Sequence, residues 1–191
     1  MAQAGYKIRD QHQVHFITCT VVQWVDIFTR SVYADLVIES LNFCIRDKGL
    51  CVHAWVLMPN HPDKSGQVIH AILSARQGYI LSDILGDFKK FAAGKILKEL
   101  EKSAIESRKS WMLWLFKSAG TQNSRNENYQ FRQQDNHPTE LNNPTIKLQR
   151  MNYFHQNPVR AGLVWEPWEY RYSSACDYMD DKKGLVEIDF I

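Results

Sequence analysis

The chain has 191 residues, 45% hydrophobic and 23% charged, with a formal net charge of +2. That length suits one well-buried domain, 1–191, and is short for two, and the composition is that of an ordinary globular protein. The near-neutral balance does not by itself announce a nucleic-acid binder, so any cationic surface has to come from local clustering. Cys19, Cys44, Cys51 and Cys176 form no CxxC pair, which argues against a zinc ribbon and for a reduced, cytoplasmic protein. The opening residues are polar, without the apolar core of a signal peptide, and no run approaches the ~20 apolar residues of a membrane span.

In chain order, Val14 to Val22 alternates and is rich in β-branched residues, which predicts a first strand. Ser31 is a cap for a helix to about Lys48, with Tyr33, Leu36, Val37, Leu41, Cys44 and Ile45 at helical spacing and Gly49 as the stop. Leu50 to Met58 and Val68 to Leu73 are apolar runs of strand length. A second helix is expected over about Ser82 to Lys102. The order strand, helix, strand, strand, helix predicts an α+β fold: a ferredoxin-like, split β-α-β antiparallel sheet with helices on one face.

Residues 103–143 break this pattern and read as an elaboration with a polar loop near 117–128. Its Trp111 and Trp114 are assigned to the core, and Tyr129 to Gln133 to a short closing strand. Asn143 and Pro144 suit the start of a third helix that stops near Asn157 because Pro158 cannot continue it. The tail beyond Ala161 is expected to pack back on the sheet.

At about 100° per residue, Leu148, Met151 and His155 share one side of that third helix. Tyr153 and Asn157 fall on the other side with Arg150, offering a phenol and an amide oxygen one turn apart. A phenolic oxygen can attack a phosphodiester and an amide oxygen can ligate a hard divalent cation; a plain surface tyrosine beside a helix-ending Asn-Pro fits the same spacing.

Met58-Pro59-Asn60-His61 after an apolar strand, Tyr153 to Val164 downstream, the closing Tyr170-Arg171-Tyr172-Ser173-Ser174 and Phe88-Lys89-Lys90-Phe91 together resemble the IS200-like single-tyrosine HUH transposases. The likeness is greatest to the branch of REP-associated tyrosine transposases and covers about residues 14–178. It implies cleavage and rejoining of single-stranded, hairpin-flanked DNA through a covalent 5′-phosphotyrosine, with Mg²⁺ or Mn²⁺ polarising the scissile phosphate. Carried over, Tyr153 is the nucleophile, and His61, His70 and Asn157 are metal ligands. Lys89, Lys90, Lys95, Arg125, Arg132 and Arg150 are the candidate DNA contacts. The resemblance admits a monomer or a homodimer, the latter setting Tyr153 of one chain against His61 of the other.

The family places its two metal histidines one hydrophobic residue apart, whereas here residues 62–68 intervene before Ile69-His70. Residues i and i+2 of a strand face the same side about 7 Å apart, so the intervening residues remove that automatic geometry. Either they loop out and leave His61 and His70 on one face, or Pro62 ends the strand and the second ligand is lost, with Asp63 as a substitute donor. The alternative function is therefore a hairpin-binding protein impaired in cleavage.

Overall fold

The computed structural model describes residues 8–59, 68–121, 129–131 and 138–191. Chain order is β1 (His15–Thr20), α1 (Ser31–Lys48), β2 (Leu50–Met58), β3 (Val68–Ala75), α2 (Leu81–Lys102), α3 (Lys109–Thr121), β4 (Thr139–Glu140), α4 (Pro144–His155), α5 (Asn157–Arg160) and α6 (Ala175–Met179). The strands form one antiparallel sheet in the order β2-β3-β1-β4, so β3 lies between β1 and β2, which α1 connects. This is the split β-α-β arrangement expected from the element order.

Each face of the sheet has its own core. Ile69, Ala71 and Leu73 of β3 pack with α1 and α2, and this larger core includes Trp55 and Ile17. Val68 and Ile72 point the other way, towards Met151 and Phe154 of α4 and Leu141. α1 and α2 therefore share one face as expected, while α4 covers the opposite one. Burial on both faces explains why β2 and β3 read as continuous apolar runs and not as alternation.

The ends of α1 follow two different rules. Gly49 stops the helix in the left-handed conformation, φ 71°, and a Cβ there would run into the Tyr79 ring. At the start, Ser31 is not the cap but the first helical residue. The Arg30 carbonyl takes the cap position, accepting from the Tyr33 and Ala34 amides at 3.2 and 3.4 Å.

The 103–143 segment departs from expectation in two places. The apolar stripe of α3 is Met112, Phe116 and Gly120, which leaves Trp111 and Trp114 off the stripe and 49% and 63% exposed instead of in the core. Tyr129 to Phe131 is not a strand; Gln133 lies outside the described residues. Phe131 is buried against Phe28 and Phe116, and its carbonyl accepts from the Val22 amide at 3.0 Å, so this stretch is a tether. The fourth strand is the short Thr139–Glu140, paired with Phe16 and His15. Ahead of α3, the fully buried Glu106 carboxylate holds Arg30 at 2.7 Å and Arg108 at 3.1 Å, pinning the α2–α3 connection to the start of α1.

The tail does pack back, along the open edge of β2. The Leu57 amide donates to the Tyr172 carbonyl at 2.9 Å, the Ser174 amide to Trp55 at 3.0 Å and the Asp189 amide to Val52 at 2.9 Å. Covering an edge in this way removes a template for unwanted strand pairing. Among the described residues no helix is long and apolar enough to cross a membrane.

Candidate nucleic-acid interface

The site is built on α4. Asn143 caps it, its side chain accepting from the Thr145 amide at 2.8 Å and the Ile146 amide at 3.4 Å, and Pro144 fills the first turn. Met151, Phe154 and His155 are its buried face; Leu148, expected with them, is 53% exposed. Leu148 lies one turn nearer the helix start, outside the contact that Met151 and Phe154 make with the sheet.

His155 fixes the helix on the sheet through a polar contact. Its Nε2 is 2.8 Å from Ser174 Oγ, which accepts from the Trp55 amide at 2.9 Å and donates to the Trp55 carbonyl at 3.2 Å. With the hydroxyl proton used on the carbonyl, Nε2–H is the donor to Ser174. The buried Nδ1 is then a bare acceptor with no partner among the described residues. Burial pushes the imidazole pKa down to about 4, so the ring is neutral near pH 7.

With that face docked, Tyr153 points outward and is 42% exposed, as its spacing predicts. The Arg160 guanidinium lies over its ring, 4.7 Å from the centroid. Asn157 differs from it in burial. α4 ends at His155 and Asn157 begins α5, with Pro158 accommodated in the first turn of that short helix instead of ending α4. The i, i+4 relation holds only in a continuous helix; across this break Asn157 is 1% exposed.

The strand half of the site meets α4 from beneath. His70 is buried on β3, stacked with Phe16 at 5.5 Å and Phe154 at 6.5 Å, and its Nδ1 is 3.0 Å from Oγ1 of the opposed Thr18. The histidine strand and the tyrosine helix thus touch through Phe154, the neighbour of Tyr153. Two residues before His70, on the same face, stands Val68, paired with Met58 and 1% exposed. Val68 belongs to the strand and not to an inserted loop, so the connection is 59–67, and the i−2 position holds an isopropyl group instead of an imidazole. His61 lies outside the described residues, as do Asp63, Arg125 and Arg132.

A hard divalent cation prefers about six oxygen or nitrogen donors in a converging set. The described residues contain no group of three His, Cys, Asp or Glu side chains able to hold a metal, and β3 offers one imidazole, not two. Of the expected ligand set, His70 and Asn157 are described, and both are buried.

The cations divide between the two layers. Lys89, Lys90 and Lys95 lie on α2, across the sheet from Tyr153, with Lys89 partly covered, Lys90 exposed and Lys95 paired to Glu39 at 2.7 Å. Arg150 is on the tyrosine side, its guanidinium 5.6 Å from the Phe16 ring centroid. Sequence reasoning missed Arg160, which lies on α5 beyond the end of α4, where helical spacing from Tyr153 is no guide. It also missed Phe16 and Thr18, which the period-2 pattern of β1 places on one face.

No family model and no curated protein matches the chain. Among solved structures, a REP-associated tyrosine transposase bound to a REP hairpin is similar with a TM-score of 0.63, over 99% of this chain and 92% of that one. The two share a fold. At 14% identity the likeness speaks for architecture, and the antiparallel sheet and its helices follow that transposase along nearly their whole length.

Proposed function

We propose that the protein binds hairpin-forming DNA with a single-stranded flank, using the face that carries α4 and α5. The observation that carries this reading is the shared fold, over 99% of the chain, with a transposase bound to a REP hairpin. The exposed Tyr153, Arg150 and Arg160 on one layer support it, because single strands are held by cations combined with aromatic rings. Binding without cleavage is the favoured form, because Val68 occupies the strand position that a two-histidine metal site needs.

A second reading keeps the chemistry. Tyr153 presents its phenol to solvent, and its neighbour Phe154 packs on His70. With His61 added to His70 and Asn157, Mg²⁺ or Mn²⁺ would supply Lewis acidity at the scissile phosphate. The test is equilibrium binding to flanked hairpins, unstructured strands and blunt duplex, in EDTA and in Mn²⁺. Hairpin preference that survives EDTA supports the favoured reading, and equal affinity for all three DNA forms removes it. Mn²⁺-dependent nicking lost in Tyr153→Phe supports the second.

A further inference from the structure

Two arginines lie beside Tyr153, and among the described residues neither has a carboxylate within ion-pair distance. Several other cations are held by carboxylates. Arg30 and Arg108 are held by Glu106, Lys48 by Asp87 at 2.8 Å and Lys95 by Glu39. Each of the two is instead set over an aromatic face, Arg160 on Tyr153 and Arg150 on Phe16. Both are exposed, and the Phe16 ring under Arg150 is itself stacked on the buried Phe154 at 6.3 Å. A guanidinium resting on a ring keeps donors free for an anion at its rim, and its restricted position reduces the entropy lost on binding.

We infer that Arg160 and the Tyr153 phenol, with Arg150 one turn earlier on α4, form a binding site for a backbone phosphate of single-stranded DNA. The proposal rests on the hairpin-binding reading and deepens it by locating the flank. The guanidinium of Arg160 donates to the phosphate oxygens, and the phenol O–H donates a further hydrogen bond to the same group. The site needs no divalent ion. Positive charge at the tyrosine comes from side chains on α4 and α5, on the sheet face where β3 carries Val68 in place of a second imidazole.

The experiment measures anisotropy of labelled hairpins with and without a single-stranded flank, between low and moderate salt in EDTA. Proteins are the wild type, Arg160→Ala, Tyr153→Phe and, as a control on the exposed last turn of α2, Lys102→Ala. One phosphate contact on a single strand contributes about 0.7 to the slope of log K against log salt. The expectation is that Arg160→Ala flattens the slope for flanked hairpins by about that amount, that Lys102→Ala leaves it unchanged, and that removing the flank abolishes the difference between wild type and Arg160→Ala. A single uncharged methylphosphonate in the flank should weaken wild-type binding and leave Arg160→Ala unaffected. If the wild type binds flanked hairpins and Arg160→Ala keeps its slope and affinity, the phosphate site is wrong and hairpin binding stands. If the wild type binds no hairpin at low salt, both fall.

Discussion

Val68 and His70 stand two residues apart on β3, and both side chains face α4. A second histidine at the first of these positions would complete a pair on one face of the strand; valine there completes an apolar contact with Met151 and Phe154. Val68→His should therefore restore a metal half-site. Titration with Mn²⁺ should show affinity tighter than wild type by at least about tenfold, since even outer-sphere partners are worth that much. Adding His70→Ala should abolish the gain. Equal Mn²⁺ affinity in wild type and Val68→His would show that the two side chains do not converge.

His155 makes stability depend on acid. Its folded pKa, about 4, is depressed below the ordinary imidazole value, so the unfolded chain binds the extra proton more readily. Its contribution is complete above about pH 6.5 and is lost as the pH falls through about 4, to a total of about 3 kcal/mol. Urea midpoints should fall across this window, and His155→Phe should flatten that part of the curve. His53, also buried with a lowered pKa, acts in the same direction and leaves a residual slope.

Glu106 is buried while its partners Arg30 and Arg108 are about one-third exposed. Glu106→Ala removes the carboxylate on which both arginines converge. The expected loss is about 2–3 kcal/mol in unfolding free energy, below the value for a fully enclosed pair because solvent screens the arginines. Its carboxyl is held below the usual range by the hydrogen bond from Arg108, so this contribution also fades as pH falls. Chemical denaturation of Glu106→Ala at pH 7 gives the number.

Phe154 is the hinge between the strand and helix halves of the candidate site, fully buried and in contact with Phe16 and His70. Phe154→Ala should cost about 3–5 kcal/mol. In whatever fraction stays folded at low temperature, hairpin affinity should fall further than in Lys102→Ala, because α4 loses its seat on the sheet. Melting curves and anisotropy on the same samples check both statements.

Much of the sheet was legible because its signals are local. Gly49 after an apolar helical stripe, and two apolar runs of strand length, establish α1, β2 and β3 and so the split topology. The second core was not legible. Val68 and Ile72 are apolar whichever face they take, and only pairing with β1 and β2 shows that α4 must cover them. The shared outward face expected of Tyr153 and Asn157 assumed one continuous helix; α4 ends at His155, and Tyr153 is exposed while Asn157 is buried. β4 is two residues long, too short for any pattern, and exists because His15 and Phe16 offer it a ladder.

The most direct measurement is covalent capture alongside binding: a pool of end-labelled oligonucleotides carrying imperfect hairpins with single-stranded flanks, incubated with wild type or Tyr153→Phe in Mn²⁺ or EDTA. The account predicts retention of hairpins in both buffers and no denaturant-resistant adduct from either protein. A Mn²⁺-dependent adduct on wild type that vanishes in Tyr153→Phe would contradict it, as would the absence of any hairpin retention.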